Sequence, residues 1–175
     1  MALIVVIPDG LLKERSISKN KISKTYKAVL DLAIEESKKN NGKIILLPAN
    51  SFDSNQYEQD WAKDYLLFKN IDKNLIYVGI SNSSKYITTR DNFILAIKNG
   101  FLNYETKRKY FFDTYFKEGD YSLVTSHLHI DRVILILKIL SFKKPKIIRV
   151  SYSEESKEIV ARLFHYRIPI LKMIY

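Results

Sequence analysis

The chain has no cysteine, one tryptophan, two methionines, four prolines and five glycines in 175 residues. Without cysteine there is no disulfide, no thiolate nucleophile, no iron–sulfur cluster and no thiolate-bound zinc. So few glycines and prolines argue against disorder and against a fibrous repeat. Long apolar runs are missing too. The longest, such as residues 2–7 and 133–137, fall far below the ~20 needed to cross a bilayer. Met1 leads directly into residues 2–7 without a basic flank, so the sequence predicts no signal peptide, no membrane insertion and a cytoplasmic location.

What is present is a large apolar share, 46% of residues, and a basic excess of 29 Lys+Arg over 19 Asp+Glu, a net charge of +10. A chain of this length typically buries ~70% of its unfolded surface, enough for one core, so a single domain over residues 1–175 is expected. The charge raises nucleic acid as a partner. Six basic residues and no acidic one lie between Arg132 and Ser153, and Lys107-Arg108-Lys109 sits among aromatics. No DNA- or RNA-binding motif accompanies them, so nucleic acid is the less favoured partner. A lysine-rich solubilising surface that also draws a small anion is preferred.

Short apolar, β-branched runs at residues 2–7, 43–47, 75–80, 121–125 and 146–150 read as buried strands, with a last one at 168–174. Between them lie helical spacings. One starts at Ser23, with Tyr26, Val29, Leu30, Ala33 and Ile34 on one stripe, and stops at Asn40-Asn41-Gly42. Others cover residues 55–69, 89–99, 127–140 and 154–165, the one at 89–99 burying Phe93, Ile94 and Ile97. Residues 11–22 read as a surface loop. Residues 100–119 carry seven aromatics among charges and read as a partly helical insertion, serving as a lid, as a homodimer surface or as an excursion packed on the domain's own core. Alternating apolar strands and helices predict a three-layer α/β fold, Rossmann-like or flavodoxin-like, with a mainly parallel sheet and helices on both faces.

In such sheets ligands bind beyond the carboxyl ends of the strands, where strand order reverses. Polar residues follow each predicted strand there: Asp9 and Gly10; Asn50 and Ser51; Ser81 to Ser84; Thr125, Ser126, His127 and His129; and Ser151 to Ser153. His129 and Arg132 are three apart and share a helix face near its N-terminus, where free N–H groups and a guanidinium suit an anion. The same residues also suit a plain helix start, with Thr125 or Ser126 as cap and Arg132 paired with an acid. Thr88 followed by Asp91 has the spacing of an ordinary cap, and Glu58 that of a solvated charge. His127 and His129 diverge on a helix, so no metal site is predicted.

The order of these clusters resembles the YdcF/SanA/ElyC-like family, a bacterial group largely of unassigned function. The resemblance rests on Thr89-x-Asp91-Asn92 opening a helix and on Val124-Thr125-Ser126-x-x-His129-x-x-Arg132 after a strand, and it spans roughly residues 3–140. In that family the first motif usually reads Thr-x-Glu-Asn and the second ends Arg-Ala, where this chain has Asp91 and Val133. Glu58 matches the family's acid on the helix after the second strand. The family's Ser-Gly-Gly turn is replaced by Pro48-Ala49-Asn50-Ser51, its arginine at the first helix by Lys24, and its acid at the third strand's end by Val78-Gly79. The resemblance implies a divergent member with a Rossmann-like sheet and a nucleotide-like or phosphorylated ligand, of S-adenosylmethionine type or akin to an envelope precursor.

Two functions are therefore expected of one pocket. In an enzyme, a hydrolase or transferase, Arg132 binds the anion and His129 is acid or base. Asp91 or Glu58 orients His129 or activates water, while Asp9, Gly10, Asn50, Ser51, Thr89, Asn92, Thr125 and Ser126 hold the ligand. In a binding or regulatory module the same residues bind without chemistry, consistent with the lack of a G-x-S-x-G elbow around Ser51 or Ser126.

Overall fold

The computed structural model describes residues 2–8, 11–12, 21–22, 24–50, 57–81 and 87–150. The predicted helix at 154–165, the predicted strand at 168–174 and the site candidates Asp9, Gly10 and Ser51 lie outside the described residues. Five parallel strands form the body of a seven-stranded sheet: β1 (Leu3–Val6), β4 (Lys43–Leu46), β5 (Ile76–Gly79), β8 (Ser122–Ser126) and β9 (Lys146–Val150). Two short antiparallel strands, β6 (Phe101–Asn103) and β7 (Lys109–Tyr110), extend it beyond β5. The spatial order is β7-β6-β5-β4-β1-β8-β9. The fold is thus the expected α/β sandwich.

Alternation along the strands sorts the core into two layers. Ile4, Val6, Ile44, Leu46, Ile76 and Val124 point to one face. There they meet α1 (Lys24–Asn40) through Tyr26, Val29, Leu30 and Ala33, and α2 (Glu58–Phe68) through Ala62 and Leu66. Leu3, Val5, Ile7, Ile45, Tyr77 and Leu123 point to the other face. They pack against α3 (Thr89–Asn99), α4 (Asp113–Glu118) and α5 (Ile130–Ile139) through Phe93, Ala96, Phe116, Val133 and Ile136. Strands buried on both faces have no solvent side to alternate with, which is why they read as unbroken apolar runs.

Three departures from expectation have local causes. Leu11–Leu12 (β2) and Lys21–Ile22 (β3) pair as a small antiparallel ribbon where a loop was expected, because two-residue strands carry no readable period. Residues 100–119 are partly helical, as expected, but β6 and β7 build them into the sheet. Phe101, Phe112 and Phe116 lie in the core while Phe111 is exposed, so these rings pack on the chain's own interior. On α3, Ile94 is exposed and Ala96 takes the buried position, because the helix starts at Thr89 and its inner face is set by Phe93 and Asn92.

From β7 the chain must return to β8, past β6, β5, β4 and β1, a lateral distance of about 24 Å at ordinary strand spacing. It does so through α4, and rings line the route. Tyr77 meets Tyr110 at 5.2 Å and Phe112 at 5.4 Å. Phe101 then links Phe112 at 5.6 Å to Phe116 at 6.1 Å, and Phe116 meets Tyr121 edge-on at 5.3 Å.

The Tyr121 hydroxyl ends this series buried and without a hydrogen-bond partner among the described residues. Burial pushes its ionisation well above the ordinary tyrosine range. The neutral phenol is therefore favoured by folding, and its contribution is complete below the unfolded value near ~10 and falls as pH rises beyond it. Tyr121→Phe is expected to stabilise the fold by about 1 kcal/mol at neutral pH and to lessen the alkaline loss, as read by urea titrations at pH 7 and above pH 10.

Candidate functional site

Strand order reverses between β1 and β8. β1 is followed across α1 by β4 on one side, while β8 lies on its other side and leads through α5 to β9. Connections therefore leave the carboxyl ends of β1 and β8 in opposite directions, which opens a crevice above this pair. The ladder between them runs to the end of β1, where the Ile7 N–H donates to the Val124 carbonyl at 3.1 Å.

Beside this crevice the rim over β4 and β5 is closed by backbone and α3. The Asn92 carboxamide, with its nitrogen turned toward them, donates to the Thr88 and Pro48 carbonyls, each at 2.9 Å. At the far end of α3, the Asn99 amide donates to the Ile80 carbonyl at 3.1 Å and the Ile80 N–H to Gly100 at 3.1 Å. α3 is thus fastened at the carboxyl edge twice, by Asn92 to the turn after β4 and by Asn99 to the end of β5, while Phe93 and Ala96 pack into the core. Gly100, at φ +72°, makes the turn from α3 into β6.

The turn after β4 is held from two sides. The Ala49 N–H donates to Gln59 Oε1 at 2.8 Å and the Glu58 N–H to the Ala49 carbonyl at 3.1 Å, both from the first turn of α2. Asn50 bridges to Tyr57, and its carbonyl accepts from the Ile87 N–H at 3.5 Å. Pro48 rests on Gly79: a Cβ there would lie 2.4 Å from Pro48 Cδ and 2.5 Å from its nitrogen.

On the other side of the crevice β8 ends in Thr125 and Ser126, both buried, and a single 3-10 turn, His127–His129, leads into α5. Thr125 and Ser126 point to opposite faces by strand alternation. His127 is exposed, whereas His129, only 5% exposed, and Arg132, 9% exposed, are drawn inward at the helix start, and each has a polar or charged partner. Ser126 is 1% exposed, and its hydroxyl has no hydrogen-bond partner among the described residues.

No protein-family profile matches the chain, and neither a curated protein nor a solved structure matches it. The arrangement must therefore be read from its own geometry.

Of the residues expected at the site, Asn50, Glu58, Thr89, Asn92, Thr125, Ser126, His129 and Arg132 are all buried at the carboxyl edge. Asp91 takes the cap arrangement: the Thr88 hydroxyl donates to its carboxylate at 2.7 Å and accepts from its N–H at 3.2 Å. Asn92 holds backbone, so its amide positions α3 against the turn after β4. Gln59 was missed from sequence, where it looks like any polar residue on a helix. Its signal is position alone, beside Glu58 in a first turn that faces an adjacent loop. Among the described residues no three His, Asp or Glu side chains gather as metal ligands.

Asn92→Asp sets a carboxylate against two carbonyl oxygens and is expected to cost at least ~2 kcal/mol in denaturant titrations. Gly79→Ala drives a methyl into Pro48 backbone and is expected to cost roughly 1–3 kcal/mol by the same measurement.

Proposed function

We propose that the chain binds a small anionic ligand, nucleotide-like or phosphorylated, in the crevice over β1 and β8, and that it is a divergent relative of the YdcF/SanA/ElyC-like family. The observation that carries the ligand proposal is Ser126, a buried hydroxyl without a partner among the described residues, at the turn into α5 and beside the point where strand order reverses. A buried hydroxyl left unsatisfied costs roughly 1–3 kcal/mol, a cost that a bound acceptor or donor would remove. The start of α5 adds oriented N–H groups, and Arg132 adds a charge matched to phosphate or carboxylate. The family proposal is supported by the two motifs falling on the two sides of one rim, at the start of α3 and at the end of β8.

In an enzymatic version His129, at the start of α5, exchanges the proton at the reacting group as acid or base. A binding module without chemistry is the second reading. It is favoured by Asp91, whose carboxylate is engaged by Thr88.

Thermal-shift and native-mass measurements with nucleotides, S-adenosylmethionine and sugar phosphates test the proposal. A ligand at a hundred times its dissociation constant stabilises the folded state by about 2.7 kcal/mol. Arg132→Ala is expected to abolish the shift. Ser126→Ala is expected to weaken binding while leaving the free protein at least as stable, because the hydroxyl it removes has no partner there. If Arg132→Ala and Ser126→Ala bind as the parent chain does, the crevice is not the site. Unchanged ligand recovered after long incubation favours the binding module; turnover lost in His129→Ala favours the enzyme.

A further inference from the structure

The opposite edge of the sheet has a different character. The C-termini of α1, α2 and α5 and the starts of β4, β5, β8 and β9 all meet there, together with the turn between β6 and β7. Lys38, Lys73, Arg108, Lys138 and Lys144 stand exposed along this edge with no carboxylate partner among the described residues. Of the acids at this edge, Glu36 takes Lys39 and Lys146 and Glu118 takes Lys143, while Asp72, Glu105 and Asp120 stand exposed and are outnumbered by these five cations. The described charged residues at the carboxyl edge include both signs: Glu58, Asp91 and Asp131, and Arg90, Lys98 and Arg132. Among the described residues, unpartnered cations thus gather at the edge opposite the crevice.

Helix ends explain part of this pattern, since lysine in a last turn complements the helix dipole, as Lys38 and Lys138 do. Arg108 and Lys144 stand in turns and serve no helix. Two apolar side chains protrude at the same edge: Phe68, 78% exposed at the tip of α2, and Ile139, 53% exposed at the tip of α5. α2 and α5 lie on opposite faces of the sheet, so the apolar tips flank the basic edge on both sides.

We propose that this edge docks peripherally on an anionic lipid surface, with the lysines over the headgroups and Phe68 and Ile139 dipping between them. Cations alone would suit any polyanion, but their spread favours a plane. They run from the β6–β7 turn to the segment before β9, about 29 Å at ordinary strand spacing, and lie on both layers rather than along one groove. The apolar tips fit an interface, where aliphatic as well as aromatic groups gain from burial. Tyr104, an aromatic at this edge, is covered by Lys107 at 4.1 Å and Lys63 at 5.7 Å and is not open for a base to stack upon.

Co-sedimentation of the intact chain with vesicles of phosphatidylcholine, alone or mixed with phosphatidylglycerol, tests this. Binding is expected only to the mixed vesicles and is expected to weaken with salt. Each lysine removed near an anionic surface weakens partition by about fivefold, so Lys138→Gln with Lys144→Gln is expected to lower it about 25-fold. Phe68→Ser with Ile139→Ser is expected to lower it further, without unfolding because both side chains are exposed. Arg90→Gln with Lys98→Gln, at the other edge, is expected to bind as the parent chain does. Equal binding to neutral vesicles, no loss in the Lys138/Lys144 variant, or retention on single-stranded RNA without retention on vesicles overturns the proposal.

Discussion

From the outermost strand β7 the chain has to cross the face of the sheet and enter β8 on the far side of β1, and ring packing makes that crossing. Tyr77, Phe101, Phe112, Phe116 and Tyr121 touch edge to face or tilted, geometries each worth about 0.5–1.5 kcal/mol beyond the area they bury. Were β8 to follow β5 in space as it does in chain order, the strands would run in one direction across the sheet and no crevice would open above β1. The reversal of strand order, and with it the candidate site, depends on the aromatic crossover. Residues 100–119 thus shape the rim without contributing a side chain to it.

The rim is divided in function by α3. Fastened at Pro48 by Asn92 and at Ile80 by Asn99, the helix occupies the carboxyl edge over β4 and β5. The crevice over β1 and β8 is left to the turn that carries Ser126, His129 and Arg132. Residues on the α3 side act by holding backbone, whereas those on the β8 side combine burial with chemistry that suits an anion. The two motifs that look alike in sequence, each a polar cluster opening a helix, therefore differ in what they do.

Much of this was legible beforehand. Strands buried on both faces announce themselves as β-branched runs, and the stripe from Tyr26 to Ile34 places α1 correctly because its helix is long enough to show a period. The short strands β2, β3, β6 and β7 were not legible, since two or three residues cannot display alternation. At the site, the residues that follow strands were placed on the rim by topology alone. What sequence could not separate was role. Asp91 and Asn92 are adjacent, yet one closes a helix cap and the other spans two carbonyls, a difference set by where α3 lies relative to Pro48. The distribution of charge between the two edges was equally hidden, because it depends on which end of each element a lysine occupies and not on how many there are.

The contact between Pro48 and Gly79 joins two features that look independent along the chain. Pro48 stands in the turn after β4, and Gly79 ends β5. Pro48 lies one residue beyond the position that the β4–β5 register sets opposite Gly79, and its ring and nitrogen fill the space a side chain at 79 would take. Related sequences should accordingly covary at this pair, with bulk on one side or the other but never on both.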